Sequence, residues 1–267
     1  MFNSITLGKY YNTESTVHDL DSRVKLILTF VYMVLVFFAN NFYCYGALLL
    51  FLILIVKLSN IPVKIVLKSL KPVIMILIFT FIINVFLTSQ GEIIFQFWIF
   101  KIRENAVQRA LLLALRLVFL VMGTSIMTLT TSPIALTYAI ESVFSPLKVF
   151  KFPAHELAMM MSIALRFIPT LLEEAGKIQK AQMARGAKFE SNNIKDKALA
   201  MVPLLIPLFI SAFRRAEELA FAMEARCYHG GEGRTRMNVS KIKRTDIVAI
   251  CLFVVMFAVV IYISKVL

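Results

Sequence analysis

Four long stretches of this chain contain no charged side chain. They are Leu26–Val56, Val73–Gly91, the part of Leu117–Glu141 that precedes its final residue, and Ile247–Ser264. An apolar run of about 18 residues or more is typical of a helix that crosses a lipid bilayer, and the core of a soluble domain does not explain four of them. The sequence therefore predicts an all-α fold class, a polytopic helix bundle in the cell (plasma) membrane.

The first run is too long for a single span. As one helix, its 31 residues would extend about 47 Å, whereas the hydrocarbon core of a bilayer is about 30 Å thick. Asn40, Asn41 and Gly46 are turn-forming residues in the middle of the run. We predict two spans, at about 24–40 and 43–58; one overlong span would instead invert the topology of everything that follows.

The distribution of charge predicts which side of the membrane each loop occupies. The chain has 29 Lys and Arg against 16 Asp and Glu, and positive loops mark the cytoplasmic side. The loop after the second span has four lysines and no acid, segment 89–105 is balanced, and segment 133–244 has 17 basic and 10 acidic residues. With spans near 73–89 and 106–131, this pattern places the N-terminus in the cytoplasm and the C-terminal Leu267 outside.

These predictions divide the chain into four parts. They are a cytoplasmic N-terminal lead (1–23), a membrane bundle of about four spans (24–131), a cytoplasmic region (132–244) and a final transmembrane helix (245–267). Between the second and third spans, Lys64, Lys68 and Lys71 follow Pro62 at helical spacing. This basic turn is suited to membrane lipid with anionic headgroups, and a contact with a partner protein is the alternative.

Region 132–244 shows the periodicity of two long amphipathic helices. Apolar residues recur every three or four positions from His155 to Arg185, and again after the polar break at 191–193. We expect their charged residues to point outward: Glu173, Glu174, Lys177 and Lys180 on the first helix, and Arg214, Arg215, Glu217 and Glu218 on the second. Such helices lie along a membrane surface or against a partner.

The motifs of the common enzyme classes are absent from the sequence. Gly8-Lys9 and Gly176-Lys177 are not followed by the Ser or Thr of a phosphate-binding loop. His155-Glu156 lacks a second histidine one turn later, because position 159 is Met. The sequence therefore predicts no enzyme, no catalytic residue, no cofactor and no metal site, and the charge map predicts no nucleic-acid partner.

Arg116 lies about ten residues inside the 106–131 span, and Arg109 lies seven residues before it on the same face. A charge at that depth usually faces the interior of a bundle or a partner. We leave two roles open for this pair: a structural contact within the bundle, or a contact with another membrane subunit.

A short pattern repeats at the ends of the two amphipathic helices. The first ends in Ala181-Gln182-Met183-Ala184-Arg185-Gly186, and the second in Ala222-Met223-Glu224-Ala225-Arg226-Cys227. Small residues beside an arginine let a helix end enter a groove and present a five-donor fork to carboxylates or carbonyls. We predict two similar docking ends at Ala184, Arg185, Gly186 and at Ala225, Arg226, Cys227, although the abundance of Ala in helices also permits a chance repeat.

The sequence resembles the transmembrane T component of energy-coupling factor (ECF) importers of vitamins and metals. The similarity is strongest in the segment from Glu156 through Arg166 and Pro169 to Ala184-Arg185-Gly186, and it recurs in His18-Asp19-Leu20-Asp21-Ser22-Arg23 and in Thr131-Ser132-Pro133. Two positions depart from the family pattern. Ser22 stands where the family has Pro, and Cys227 stands where it has Gly, which puts the local turn after Arg226 in doubt.

The resemblance implies partners and a role. It implies that the long helices are coupling helices, whose two arginine motifs dock into grooves on two ABC-type ATPase subunits that hydrolyse ATP. It also implies a membrane-embedded S component that binds the substrate and is tilted when the ATPases close. The alternatives are a membrane scaffold or assembly protein, and an ABC permease with its own pore.

Overall fold

The structure is a computed structural model that describes residues 10–87, 93–97, 100–150, 152–187, 189, 193–231 and 242–266. Its elements in chain order are α1 (Ser22–Phe38), α2 (Phe42–Leu58), α3 (Val63–Lys68), α4 (Ile74–Leu87), β1 (Ile93–Phe97), β2 (Phe100–Arg103), α5 (Glu104–Thr130), α6 (Pro133–Phe144), a 3-10 helix (Ser145–Phe150), α7 (Ala154–Ala184), α8 (Ile194–Ala225) and α9 (Arg244–Val266). Gly8, Lys9 and Leu267, which the sequence analysis used, lie outside the described residues.

The chain divides into two compact units. The bundle unit contains Leu7–Ile140 and Val239–Leu267, and the arm unit contains Glu141–Asn238. The division falls within α6, nine residues after the boundary that the sequence analysis placed at residue 132.

In the bundle unit, the first apolar run forms a helical hairpin, α1 and α2, that turns at residues 39–41. Each helix has 17 residues and is therefore about 25 Å long, whereas the 27 residues of α5 extend about 40 Å. Asp21 caps α1, because its carboxylate accepts a hydrogen bond from the Arg23 backbone N–H. The hairpin is short because Asn40 and Asn41 favour a turn between α1 and α2.

Helices α1, α2, α5 and α9 form the core of the bundle unit. The Tyr32 hydroxyl of α1 donates to the Phe119 carbonyl of α5 at 3.2 Å, and a Cβ atom on Gly123 would meet the Tyr32 ring at 2.2 Å. Only glycine therefore permits this close approach of α1 and α5. The fully buried Leu35, Val36, Leu48 and Val260 fill the space between the helices.

Several contacts show which helix ends lie together. Thr130, at the end of α5, accepts from Lys25 near the start of α1, and Asp21, before α1, donates to Asp246 at the start of α9. At the opposite end, the Ser264 hydroxyl donates to the Phe38 carbonyl. Within the bundle unit, the start of α1 and the end of α9 therefore lie at opposite ends.

The arm unit is built on α7 and α8, which have 31 and 32 residues. Both pass through prolines, at Pro169 in α7 and at Pro203 and Pro207 in α8. The two helices run antiparallel across their contact, because Glu174 pairs with Ser211 and Arg215 whereas the Gln182 amide reaches the Pro203 carbonyl, earlier in α8.

The all-α fold class is confirmed, with one small addition. A two-stranded antiparallel hairpin, β1 and β2, precedes α5; the sequence analysis missed it because no Asn-Gly or Asp-Gly dipeptide marks a turn there. Four described segments are long and apolar enough to cross a membrane: Ala106–Thr130, Ala154–Ala184, Ala198–Ala225 and Arg244–Val266. By length and composition alone, α7 and α8 thus qualify as spans, and only their charges set them apart.

Candidate functional site

The end of α7 is a glycine-capped turn that leaves an arginine at its corner. Arg185 is the C-cap residue, and Gly186 follows with a φ of +91°. The Gly186 N–H donates to the Met183 carbonyl at 3.0 Å, and the Ala187 N–H donates to the Gln182 carbonyl at 2.9 Å. This pair of bonds is the Schellman motif, in which a left-handed residue just after the helix closes the last turn.

The end of α8 has the same hydrogen bonds. Arg226 is the C-cap residue, the Cys227 N–H donates to the Glu224 carbonyl at 2.9 Å, and the Tyr228 N–H donates to the Met223 carbonyl at 3.1 Å. Cys227 takes the left-handed position with a φ of +54°, where Gly186 stands in the first motif. Cysteine at this position therefore preserves the turn, at the energetic cost of an unfavourable backbone conformation.

All six residues of the two docking ends, Ala184–Gly186 and Ala225–Cys227, are exposed. Among the residues that the structure describes, neither the Arg185 nor the Arg226 guanidinium has a hydrogen-bond or ion-pair partner. Each helix therefore ends in a free five-donor fork, set on a rigid turn and flanked by a small alanine. A carboxylate or a row of carbonyls is the complementary surface for such an end.

A side-chain clamp in the middle of the arm unit fixes how these ends are placed. One carboxylate oxygen of Glu174 accepts from the Ser211 hydroxyl, and the other accepts from the Arg215 guanidinium at 2.8 Å. The prediction that Glu174 and Arg215 point outward is therefore wrong. The sequence pattern missed the clamp because it assigns faces within one helix and contains no information on how two helices face each other.

The clamp also shows that the two ends lie apart. Arg185 follows Glu174 by eleven residues and Arg226 follows Arg215 by eleven residues, which is about 16 Å of helix each. Because α7 and α8 are antiparallel at the clamp, these distances run in opposite directions. The two arginine ends are thus roughly 30 Å apart, too far to enter one groove.

Arg116 has a contact within the bundle unit. Its Nη2 donates to the Phe37 and Ala39 carbonyls at 3.3 and 3.2 Å and to Asn40 Oδ1 at 3.4 Å. These carbonyls lie at the C-terminal end of α1, where helical partners are lacking and the helix dipole is negative. Of the two roles left open, this geometry favours the structural one; Arg109 is exposed on the same helix, near its start.

A polar cluster that the sequence analysis did not assign joins the starts of α1 and α9. The Asp246 carboxylate, which is fully buried, accepts the backbone N–H of Asp21 at 2.8 Å and that of Lys243 at 2.7 Å. The buried Lys25 ammonium donates to the His18 carbonyl at 2.8 Å and to Thr130 at 3.0 Å. The sequence feature that could have indicated this cluster is an acidic residue, Asp246, in the first turn of the last span.

Arg23 belongs to the same cluster. Its guanidinium donates to both carboxylate oxygens of Asp21, the shortest bond being 2.7 Å, and it lies over the Tyr138 ring. The hydrogen bond to Asp21 raises the pKa of Arg23, against a smaller lowering by burial. The cluster is a polar network that ties the lead to α1, α5, α6 and α9, and its role is to hold these segments together.

Taken together, these features define a multi-pass membrane protein with a separate pair of long helices whose ends carry matched, free arginines. Among the described residues, no group of three or more His, Cys, Asp or Glu side chains is arranged to hold a metal ion.

Comparison with known proteins identifies the family. The model of the CbiQ family, described as cobalt transport protein, matches residues 13–237. The energy-coupling factor transporter transmembrane protein EcfT of Bacillus subtilis is 52% identical over 236 residues, covering 88% of this chain and 89% of that one. The proteins of the same name from Ruminiclostridium cellulolyticum and Acidaminococcus fermentans are 51% identical, covering 92% of each chain, and 49% identical, covering 96% of this chain and 97% of that one.

The chain therefore belongs to the family of energy-coupling factor transporter transmembrane proteins. The resemblance inferred from the segment around Arg166 and Arg185 is confirmed, as is the prediction of a membrane-embedded transport protein. The relatives are named as transmembrane components of a transporter, and their names specify neither a substrate nor particular partner subunits.

Proposed function

We propose that this chain is the coupling subunit of an ECF-type ABC importer. It transmits the ATP-driven motion of two cytoplasmic ATPase subunits to a membrane-embedded S component that binds a vitamin or a transition-metal ion. The observation that carries the proposal is the pair of matching helix ends, roughly 30 Å apart, each with an arginine that has no partner among the described residues. Two matched ends at that separation suit two similar sockets on two separate subunits.

The arm unit has the properties that a transmission element requires. An α-helix is stiff along its axis, and the Schellman turns fix each arginine to the end of its helix. The Glu174 clamp holds α7 and α8 at their middle. When the sockets that hold Arg185 and Arg226 move together, the clamp therefore makes the two helices move against each other instead of separating.

An exposed apolar face supplies a surface for the S component. On α8, Leu205, Phe209 and Phe213 recur every four residues along one side of the helix and are 52%, 64% and 60% exposed. A row of exposed apolar side chains along one helix is typical of a protein–protein or membrane contact. A hydrophobic S component that packs on this face would follow the movement of the helices beneath it.

In this proposal, the chain hydrolyses nothing itself, and the partner ATPases hydrolyse ATP. The sequence contains no Gly-rich loop followed by Lys-Ser or Lys-Thr, which an ATP-binding subunit of this kind uses to hold the phosphates. The purified chain without partners should show no saturable ATP binding in equilibrium dialysis. Saturable binding at micromolar ATP would contradict this division of labour.

Docking is tested by replacing both arginines with alanine and purifying the complex through a tag on this chain. Losing one partly buried charged contact at an interface typically costs 2–5 kcal/mol, or roughly 30-fold to several thousand-fold in affinity. Arg185→Ala and Arg226→Ala should each reduce ATPase recovery and transport. The double variant should nearly abolish both and leave the thermal unfolding of the membrane protein unchanged.

Arg214 and Lys180 provide the matched control. Both are exposed cations on the same two helices, whereas Arg215 is unsuitable because it belongs to the clamp. The Arg214→Ala, Lys180→Ala double variant should bind the ATPases like the unmodified chain. Full ATPase recovery with the Arg185, Arg226 double variant, or equal loss with the control, would defeat the docking proposal.

A further inference from the structure

A deep apolar groove opens within the bundle unit, at the end where α1 and α9 begin and α2 and α5 end. It has a volume of about 460 Å³, and its walls come from α1, α2, α5, α9 and the segment before α1. Each of the four helices contributes residues to its lining, among them Leu28, Ile55, Met127 and Leu252. Its volume lies in the range of sites that hold small organic ligands.

The groove is a recess between four helices, because each of them contributes residues to its lining. It extends inward from the level of Lys25 to that of Tyr32, seven residues further along α1, which is about 10 Å. Its inner end is formed by Tyr32, Phe51 and Gly123. Gly123 cannot fill the space, and the Tyr32 ring is held in place by its hydrogen bond to α5. A slot this deep is suited to a flexible hydrocarbon chain.

Among the described residues, the open end of the groove has one available cation. Lys25 also lines it, but the Lys25 ammonium is held by the His18 and Thr130 carbonyls. Arg244 lines it too, is exposed, and has no hydrogen-bond or ion-pair partner within the described part of the chain. The Thr245 hydroxyl lies beside it in the lining. The ligand that matches this arrangement has a hydrocarbon tail and an anionic head.

We propose that the groove binds one acyl chain of an anionic phospholipid, with the lipid phosphate at Arg244. The tail fills the space between α1, α2, α5 and α9, and the headgroup lies against the first turn of α9. The helix N-terminus there adds favourable electrostatics, because its free N–H groups attract anions. The bound lipid fills a gap in the bundle that the side chains of these four helices leave open.

The test uses the complete transporter in nanodiscs of phosphatidylcholine, with a trace of phosphatidylglycerol that carries a photoreactive group near the end of one acyl chain. After irradiation, mass spectrometry locates the cross-linked residues. We expect cross-links concentrated at Phe51 and Leu252, in the inner part of the groove. The same probe on phosphatidylcholine should label them several-fold less.

Two variants separate the tail from the head. Ala249 lines the groove, so Ala249→Trp should remove the cross-links, whereas Ala258→Trp on the exposed side of the same helix should leave them. Arg244→Gln, at an exposed position, should reduce the preference for phosphatidylglycerol about fivefold, which corresponds to the roughly 1 kcal/mol of one basic residue near an anionic headgroup.

Cross-links spread evenly over all exposed apolar residues, including Met75 of α4, would overturn the proposal. Unchanged labelling in Ala249→Trp would do the same, and equal labelling by the two lipids in both the unmodified and the Arg244→Gln proteins would overturn the role of Arg244. The docking of ATPases affects none of these readouts, so the proposal stands or falls independently of the proposed coupling function.

Discussion

Arg116 shows how a single charged side chain makes a short hairpin possible inside a membrane. The α1–α2 hairpin ends at a level where α5 still continues for twelve residues towards Glu104. The carbonyls of the turn have no water to bind if they lie within the bilayer, and an unsatisfied polar group there costs several kcal/mol. Arg116 supplies donors to that turn from the neighbouring helix.

Arg116→Leu should therefore destabilise the bundle. Each carbonyl that loses its partner adds about 1–3 kcal/mol of desolvation cost, so we expect a clear fall in the thermal midpoint of the purified protein in detergent. Arg116→Lys keeps the charge with fewer donors and should restore part of the loss. If Arg116→Leu leaves the midpoint, the expression level and transport unchanged, the structural role is wrong.

Gly186 and Cys227 form a natural comparison at the same structural position. Both lie in the left-handed region that closes a Schellman turn, where a side chain costs about 1–2 kcal/mol relative to glycine. Glycine loses about 0.5–1 kcal/mol more chain entropy on folding. Cys227→Gly should therefore stabilise the arm unit by about 0.5–1 kcal/mol, and Gly186→Ala should destabilise it by a similar amount.

Thermal unfolding followed by protease resistance of the arm unit measures both changes. The two substitutions are opposite in direction and act on equivalent turns, so each serves as the control for the other. A shift in the same direction for both would show that the two helix ends are not equivalent.

At the scale of secondary-structure elements, the Glu174 clamp holds α7 and α8 together. Its groups are half-buried, with 35% of the Arg215 side chain and 25% of the Glu174 side chain exposed. Solvent therefore screens the pair. Its contribution to the free energy of unfolding is near the upper end of the 0–1 kcal/mol found for exposed pairs. The function of the clamp is to fix the relative position of the helices more than to add stability.

A double-mutant cycle with Glu174→Ala and Arg215→Ala should give a coupling energy of about 0.5–1 kcal/mol in thermal unfolding. Glu173→Ala, at the exposed neighbouring position, should show no coupling to Arg215→Ala. Transport should fall in the single Glu174 variant while ATPase recovery persists, because the docking ends remain. Zero coupling would show that the two side chains do not interact in solution.

The elements were predictable from the sequence to the extent that they depend on local pattern. Apolar periodicity placed the long helices, since α7 begins and ends within one residue of the expected 155–185. The Ala-Arg repeat located the two ends. The clamp, the bond between Asp21 and Asp246 and the contacts of Arg116 could not be predicted, because each joins residues at least 37 positions apart and depends on how helices pack.

On the scale of the whole molecule, the described contacts establish a relative topology. The starts of α1 and α9 lie at one end of the bundle unit, and the end of α9 lies at the other, near Phe38. Placing the lysine-rich loop after α2 in the cytoplasm then puts the N-terminal lead inside and the C-terminus outside. The assignment of segment 132–244 to the cytoplasm rests on its 17 basic and 10 acidic residues.

Cysteine labelling in intact cells tests this topology. The native Cys44, Cys227 and Cys251 are first replaced, with Gly at position 227 and Ala at the other two. A membrane-impermeant maleimide should then label Val266→Cys in intact cells and Lys180→Cys only after the membrane is opened, because both positions are exposed on the protein and are predicted to lie on opposite sides of the bilayer. Both variants should be labelled in detergent, which excludes burial as the cause. If Lys180→Cys is labelled in intact cells, the charge distribution has assigned the arm unit to the wrong side of the membrane. If Val266→Cys is protected, the N-terminus and the C-terminus lie on the same side, and the number of spans between them is even.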